Sequence, residues 1–293
     1  MNNIAERQNE PEMLRMLAAQ RQLYLEEKQW IWRWLLITTL IAVISSSVLA
    51  AIDLISAYIT VMLILVAVGE LVVYSNLQKR GENAAHIQEM FDTTLFNLPW
   101  NTAVKKPPKA LINAAAERYD NSTSAEEKAK YPLTNWYGYE LKPEMPLYQA
   151  RVACQKENVN WEDRIRRTYI RWVIRALLGL GLLVMLVGIA LNWTFQEFFA
   201  KTLILLLPIF LAGGNHVWNH HKALKSIEDA SKTCENLWEY VQSPTADPEE
   251  ATRRSYDLQQ EIRHYRATNP PVFDWLYRRI KKQIDKEIAL GQA

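Results

Sequence analysis

Four apolar blocks constrain this chain more than any other feature of its sequence. Residues 35–52 carry no charged side chain, residues 54–74 carry only Glu70, and further blocks run over 172–191 and 198–214. A helix of about 20 apolar residues spans the roughly 30 Å hydrocarbon core of a bilayer. The average composition hides these blocks, because the mean hydropathy is only −0.18. The clustering therefore indicates a membrane protein.

Each pair of neighbouring blocks is predicted to form a helical hairpin. One helix over 35–74 would be about 60 Å long, twice the thickness of the hydrocarbon core. The chain must therefore turn near Asp53, and the second pair of blocks is broken in the same way at Asn192, Trp193 and Thr194. We predict an all-α membrane protein with four transmembrane helices in two hairpins and a helical cytoplasmic domain.

The basic residues predict the orientation of this arrangement. Residues 1–34 contain five Lys or Arg, residues 75–171 fifteen and residues 215–293 twelve, whereas the two hairpin turns contain none. By the positive-inside tendency, both termini and the middle segment of this multi-pass protein are cytoplasmic. The predicted parts are an N-terminal amphipathic cytoplasmic helix, hairpin 1, a cytoplasmic helical domain with a stalk, hairpin 2 and C-terminal cytoplasmic helices, over 1–33, 34–74, 75–171, 172–217 and 218–293.

Helical periodicity dominates the parts outside the apolar blocks. The spacing of apolar residues and the breakers between them predict helices over 12–29, 83–96, 108–119 and 248–267, the last capped by Asp247. The segment 121–146 is predicted to be an ordered loop rich in aromatic residues. A final amphipathic helix is predicted from Val272 to Ile288.

Two of the predicted helices run from the cytoplasm into the membrane with narrow apolar seams. One seam precedes the third block and includes Cys154, Trp161 and Ile165, and the other follows the fourth block and includes Ile227 and Cys234. Seams of this width are typical of helices that pack against each other, so we expect a two-helix stalk. Both cysteines are expected to be free thiols in a reducing compartment.

Common catalytic motifs are missing from the chain. Only three glycines lie outside the apolar blocks, so a glycine-rich phosphate loop is excluded, and neither G-x-S-x-G nor H-E-x-x-H occurs. The net charge of +2 argues against a dedicated nucleic-acid binder. His216, His220 and His221 have a spacing that could hold a metal, but polar residues at the membrane interface are the favoured interpretation. We expect no enzyme, cofactor or metal site.

Polar residues inside the predicted spans are candidates for a pore or gate. Glu70 and Arg175 lie at similar depths, so they could pair or reach the interface, or they could gate an ion pathway. Span 1 contains a run of small polar residues, Ser45, Ser46 and Ser47. These serines could allow close helix packing or line a pore between subunits.

A polar stripe upstream of the third block is the best candidate for the binding site of a soluble ligand. Arg151, Gln155 and Asn158 share one helical face, and guanidinium, amide and aromatic groups together suit a phosphorylated base. The alternative is a solvated helix face beside an aromatic mini-core. The candidate ligand-binding residues are Arg151, Gln155, Asn158, Arg164, Trp136 and Tyr137.

Four segments of the chain resemble a known family. They are the opening NNIAERQNEPEMLRMLAAQRQLY, then FDTTLFNLPWN, CQKENVNWEDRIRRTYI and NPPVFDWLYR near the end. These segments and their order resemble the SMODS-associated four-transmembrane effectors of CBASS antiphage operons. The resemblance implies that a partner nucleotidyltransferase makes a cyclic oligonucleotide during infection, and that the effector senses it and compromises the inner membrane. It does not identify the residues that touch the ligand.

The expected function is that of an abortive-infection effector. A constitutive or differently gated channel or transporter, and a membrane-anchored enzyme without a recognisable motif, are the alternatives. The expected partners are the cyclic oligonucleotide, membrane lipids and further copies of the chain, because four short spans alone enclose no aqueous lumen. Nucleic acid is not expected as a partner.

Overall fold

The computed structural model describes residues 2–49, 61, 79–138, 141–198, 204–274 and 276–281. These residues are helical with connecting loops, and they include no β-strand. The helical fold class is therefore confirmed for the part of the chain that the structure describes. Residues outside these ranges include the predicted turn at Asp53, almost all of span 2 with Glu70, and the end of the predicted C-terminal helix.

The described elements are ten helices. In chain order they are α1 (Ile4–Arg7), α2 (Pro11–Leu49), α3 (79–96), α4 (Lys109–Ser122), α5 (Ala125–Lys130), α6 (Leu147–Ala190), α7 (Phe195–Phe198), α8 (Ile204–Gln242), α9 (Pro248–Thr268) and α10 (276–281). The helices predicted over 12–29, 83–96, 108–119 and 248–267 are present, and the helix predicted from Val272 to Ile288 is helical over the described residues 276–281. The segment 121–146 was predicted as a loop throughout, and this is wrong for α5.

Local capping explains where two of these helices begin. The side chain of Ser124 accepts a hydrogen bond from the backbone N–H of Glu127, which starts α5 within a polar segment. Asp247 caps α9 by accepting from the N–H groups of Glu249 and Glu250. The cap predicted from Asp247 and the following proline is therefore confirmed.

The described residues form two compact units. Unit 1 contains those within 1–27, 78–165 and 223–271, and unit 2 contains those within 28–77, 166–222 and 272–293. Helices α2, α6 and α8 each contribute residues to both units.

Unit 1 contains two apolar clusters, and α6 contributes to both. Cys154 belongs to the cluster formed with residues of α2, α3 and α4. Val152 and Val159 belong to the other cluster, with Ile227 and Cys234 of α8 and with residues of α9. The predicted seam on α8 is confirmed, whereas the predicted seam on α6 is wrong at Cys154, because Val152 and Val159 belong to the α8 cluster and Cys154 does not. An α-helix buried on two sides has no single narrow seam.

Unit 2 contains the second predicted hairpin. Helix α6 ends at Ala190 and Asn192 adopts a left-handed φ of 51°. A Cβ atom added to Gly213 of α8 would lie 2.7 Å from Leu177 of α6, and one added to Gly181 would lie 3.7 Å from Phe210. From Leu177 to Gly181 the residue number on α6 rises, while the number of the contacting residue on α8 falls from Gly213 to Phe210. The two helices are therefore antiparallel. The predicted turn near residue 192 is confirmed.

One helix in the described part of the chain, α6, is long and apolar enough to cross a membrane by length and composition. Its apolar end is also poorly covered by protein, as Leu178 is 69% exposed and Ile189 is 65% exposed. Exposed apolar surface of this kind is expected in contact with lipid acyl chains. Among the predicted gate residues, Arg175 is exposed on α6, and the backbone of residues 45–47 is helical within α2.

Candidate functional site

The predicted polar stripe on α6 points into unit 1 and not into solvent. Arg151 is 5% exposed and Gln155 is 1% exposed. The Arg151 guanidinium donates from Nε to the carbonyl oxygen of Phe96 in α3, and from Nη1 to Oγ1 of Thr252 in α9 at 2.8 Å. Burial lowers the pKa of Arg151. The alternative of a solvated face is therefore wrong for Arg151 and Gln155.

Gln155 connects α6 to α9 through three hydrogen bonds. Its Nε2 donates to the carbonyl oxygen of Ser255 at 2.8 Å and to Oε1 of Gln259 at 2.9 Å, and its Oε1 accepts from the Ser255 hydroxyl at 2.9 Å. The amide thus has both donors and its acceptor engaged. Together with the contact between Arg151 and Thr252, these bonds fix α6 and α9 in a parallel register.

The network continues from Gln259 to two buried carboxylates of α3. Gln259 Nε2 donates to Oε2 of Glu89 at 2.8 Å and to Oδ2 of Asp92 at 3.3 Å. Arg266 of α9 donates from Nη1 to Oδ2 of Asp92 at 2.6 Å. Three helices, α3, α6 and α9, are therefore joined by buried polar contacts.

Tyr137 brings the aromatic loop into the same network. Its hydroxyl donates to Oδ1 of Asp92 at 2.7 Å and accepts from Nδ2 of Asn158 at 3.1 Å. The Tyr137 backbone N–H donates to Gln8 Oε1 and its carbonyl oxygen accepts from Gln8 Nε2, both at 2.8 Å. The loop is thus fixed at Tyr137 by side-chain and backbone contacts.

The remaining two predicted ligand-binding residues lie at more accessible positions. Trp136 is partly buried and packs against the apolar cluster that contains Tyr137 and Cys154. Arg164 is further along α6 and is exposed. The structure therefore brings together Arg151, Gln155, Asn158 and Tyr137. Trp136 precedes Tyr137 in sequence and packs against the same apolar cluster. Arg164 lies on the surface.

The electrostatics of the network depend on its burial. Burial, and then the nearby charge of Asp92, raise the pKa of Glu89 to about 7, although Gln259, Arg266 and Arg263 act in the opposite direction. Burial also raises the pKa of Tyr137 well above its usual value, as does the charge of Asp92. Burial by itself would lower the pKa of the Arg266 guanidinium, and the Asp92 carboxylate raises it above its usual value.

Two buried donors at the end of α9 have no acceptor within the described residues. They are Nη2 of Arg266, in the last turn of α9, and Nδ2 of Asn269, which is the C-cap residue of this helix. Buried polar groups without a partner are uncommon, because each carries a desolvation cost. Donors of this kind can donate hydrogen bonds to an anionic oxygen of a ligand.

The most central residues of this network were not predicted as site residues. Glu89, Asp92 and Gln259 lie on amphipathic helices among apolar neighbours such as Phe91 and Leu258. The sequence signal that could have identified the two acidic residues was a pair of carboxylates three residues apart on the apolar face of α3. Their partner Arg266 is 174 residues away from Asp92 in sequence, so spacing alone could not pair them.

Among the three histidines singled out by their spacing, His216 and His220 have protein partners in unit 2. A 2.6 Å hydrogen bond joins the Tyr169 hydroxyl to Nε2 of His216, and a 2.8 Å hydrogen bond joins Arg166 Nη1 to Nδ1 of His220. Burial, and then the charge of Arg166, lower the pKa of His220. No group of three or more potential metal ligands occurs in the described part of the chain.

Comparison with known proteins places the whole arrangement in one family. A family model described as the SMODS-associating 4TM effector domain matches residues 2–292. The chain belongs to this effector family. The resemblance first seen in four sequence segments is thus confirmed over nearly the entire chain.

A curated relative of this SMODS-associating 4TM effector has a related description. It is a probable CBASS effector molecule of Bacillus cereus (strain VD146), 25% identical over 132 residues, which are 45% of this chain and 42% of the relative. The chain thus spans less than half the length of the relative that it matches. No solved structure matches the chain.

Proposed function

We propose that this chain is a CBASS antiphage effector that senses a cyclic oligonucleotide with unit 1 and disrupts or permeabilises the bacterial inner membrane with unit 2. In this proposal it acts through four spans and without catalysing a reaction. Family membership over residues 2–292 supports the effector role. The curated relative, described as a probable CBASS effector, supports the same operon context and hence a cyclic oligonucleotide signal.

The observation that carries the proposal is the continuity of α6. This helix contains Arg151 and Gln155, which are joined to α3 and α9, and it continues without a break to Ala190. Its last part, 176–190, has no charged residue. A change in the position or rotation of α6 in unit 1 would therefore reach the apolar segment through helical backbone and not through a loop.

The contacts within unit 1 suggest different roles for the predicted ligand-binding residues. Arg151, Gln155 and Tyr137 are buried and engaged with protein groups, so we assign them to positioning α3, α6 and α9. Asn158, Arg164 and Trp136 are less buried, so we assign these three to direct contact with the nucleotide. Amide, guanidinium and indole groups provide hydrogen bonds, charge and stacking for a phosphorylated base.

The energy that a nucleotide can supply is sufficient for such a switch. A ligand with a micromolar Kd provides about 8 kcal/mol of binding free energy. Reversing a populated closed state from 1:99 to 99:1 requires about 5.5 kcal/mol of difference in affinity between the two states. Only contacts that are stronger in the active state contribute to this difference.

Permeabilisation requires more than one chain in this proposal. Four helices pack their own interior and enclose no aqueous lumen. The exposed apolar residues of α6 provide surface for contacts with lipids or with other copies of the chain. Mass photometry in nanodiscs that finds only monomers, with and without nucleotide, would contradict this part of the proposal.

Dye release from liposomes tests the proposed function. The protein is reconstituted in vesicles and challenged with cyclic di- and trinucleotides, with the matching linear nucleotides as controls. We expect release with one cyclic nucleotide, recovered chemically intact. Release without any nucleotide would favour a constitutive channel, and conversion of the nucleotide or loss of added DNA without release would favour an enzyme. Either result would refute the proposal.

A further inference from the structure

Aromatic contacts around Phe273 bring four segments of unit 2 to one level. The Phe273 ring lies 5.5 Å from the ring of Trp32 in α2, 6.0 Å from Tyr169 in α6 and 6.2 Å from His216 in α8. Phe273 itself immediately precedes the C-terminal helical segment. The ring contacts of Phe273 therefore give a common reference level for the positively charged residues of all four segments.

Three of these segments present a cation beside a tryptophan ring. The guanidinium of Arg33 lies 5.7 Å from the Trp30 ring, and that of Arg279 lies 5.1 Å from the Trp172 ring. The ammonium of Lys222 lies 5.6 Å from the Trp218 ring in α8. All three cations are exposed. We name Arg33, Lys222 and Arg279, with their tryptophans, the cationic belt.

The positive charge is concentrated in this unit. Its described residues include ten Lys or Arg and two Asp or Glu, whereas the whole chain has a net charge of only +2. Tryptophan side chains favour the level of the headgroups at a membrane surface. Basic residues next to a membrane attract anionic lipids, so the belt has a charge that is complementary to such headgroups.

The surface next to the belt is apolar. On α6 the last charged residue is Arg175, and the exposed residues that follow include Leu178, Leu182 and Leu186. A ligand that fits both surfaces carries a phosphate and long hydrocarbon chains in one molecule. A free phosphate would leave the apolar surface without a partner.

We propose that the cationic belt binds the headgroup phosphates of anionic phospholipids. The three cations supply charge and hydrogen bonds to the phosphate oxygens, and the tryptophans and the apolar end of α6 contact the glycerol and the acyl chains. This binding does not require a nucleotide, so it can be measured whether or not the proposed effector function holds.

A titration followed by thermal unfolding tests this proposal. The full chain in a neutral detergent is titrated with dioctanoyl phosphatidylglycerol, with dioctanoyl phosphatidylcholine and with glycerol phosphate. We expect a saturable rise in Tm with phosphatidylglycerol alone. An equal rise with phosphatidylcholine would show that charge is not recognised, and an equal rise with glycerol phosphate would show that a free phosphate is the ligand. Each of these two results would overturn the proposal.

Matched triple variants locate the site. The change Arg33→Gln, Lys222→Gln and Arg279→Gln should weaken the apparent affinity for phosphatidylglycerol at least tenfold. The control removes three exposed charges of unit 1 by Lys105→Gln, Lys106→Gln and Lys109→Gln and should retain the parent affinity. Retained affinity in the belt variant, or equal loss in the control, would refute the proposal.

Further variants separate binding from folding. The charge-conserving change Arg33→Lys, Lys222→Arg and Arg279→Lys should keep the preference for phosphatidylglycerol. If the glutamine triple variant does not fold, the three single glutamine variants are titrated instead. Each should then lose part of the affinity, and parent affinity in all three would overturn the assignment of the belt.

Discussion

Arg266 of α9 and Asp92 of α3 form a buried ion pair, with 2.6 Å between Nη1 and Oδ2. The side chain of Arg266 is 6% exposed and that of Asp92 is 1% exposed. Asp92 also accepts from the Tyr137 hydroxyl, and Gln259 lies within 3.3 Å of it. The carboxylate is thus the point at which α3, α9 and the aromatic loop meet.

Removing this carboxylate should strongly destabilise unit 1. Breaking a buried ion pair by truncating one partner typically costs about 3–5 kcal/mol, because the other charge remains buried. We expect Asp92→Ala to lower the free energy of unfolding by an amount in this range, measured by urea denaturation in detergent. Glu250→Ala, which breaks exposed contacts to Arg253 and Arg254, is the control and should leave the unfolding midpoint nearly unchanged. Equal effects of the two substitutions would contradict this account.

Glu89 should make the stability of the protein depend on pH. Its pKa is raised from 4.5 to about 7 in the folded protein, so the folded state binds more protons than the unfolded state between these values. The stabilising contribution of protonated Glu89 is therefore fully present below pH 4.5 and is lost as the pH rises through 7. The shift corresponds to about 3 kcal/mol at most. The charged groups that act on Glu89 are Asp92 on the same helix, and Arg263 and Arg266 on α9.

The substitution Glu89→Gln tests this dependence. The amide oxygen can still accept from Gln259 but cannot ionise. We expect the variant to have a higher Tm than the parent at pH 8, and the difference to shrink towards pH 5, as measured by thermal unfolding across this range. A constant difference over the whole range would show that Glu89 does not titrate in it.

The helices could be predicted from the sequence because their signals are local. Asp247 followed by proline, the breakers at 269–271 and the periodicity of residues 83–96 each act within a few residues. The antiparallel contact of α6 with α8 followed from the length of the apolar block and the turn at Asn192. Such features need no knowledge of distant partners.

The candidate site could be predicted only in part for the same physical reason. The stripe Arg151, Gln155 and Asn158 was visible as a helical face, but whether that face met water or another helix depended on α9, about 100 residues away. Polar periodicity alone does not distinguish a solvated face from a buried network. The predicted α6 seam was wrong at Cys154 for a similar reason, because Val152 and Cys154 pack into different clusters.

Asn158→Ala should separate ligand response from stability. Asn158 is partly buried and donates one hydrogen bond to the Tyr137 hydroxyl, so its loss should cost only about 1 kcal/mol. We expect nucleotide-triggered dye release to be lost while expression and membrane insertion remain normal. Asn160→Ala, at an exposed position of the same helix, should release dye like the parent.

Arg151→Ala should abolish the response as well, but with a measurable loss of stability. It removes a buried hydrogen bond to Phe96 and a partly buried one to Thr252, and it leaves the Phe96 carbonyl oxygen without this donor. We expect its unfolding midpoint to lie clearly below that of Asn158→Ala. If both variants bind nucleotide and release dye like the parent, the ligand binds elsewhere and the stripe serves only the fold.

Neighbouring glycines in α8 provide a test of hairpin packing in unit 2. A Cβ atom at Gly213 would lie 2.7 and 2.9 Å from the two δ carbons of Leu177, whereas nothing lies within 4 Å of a Cβ atom at Gly214. Gly213→Ala should therefore destabilise the protein by about 1–3 kcal/mol through overpacking, partly offset by the better helix propensity of alanine. Gly214→Ala should be neutral or stabilising.

The double change Gly213→Ala with Leu177→Ala should recover part of the loss, because the shortened side chain leaves room for the added methyl group. Thermal unfolding of the four proteins in one detergent gives these differences, and identical Tm values for the two single glycine variants would mean that α6 and α8 do not pack at this position.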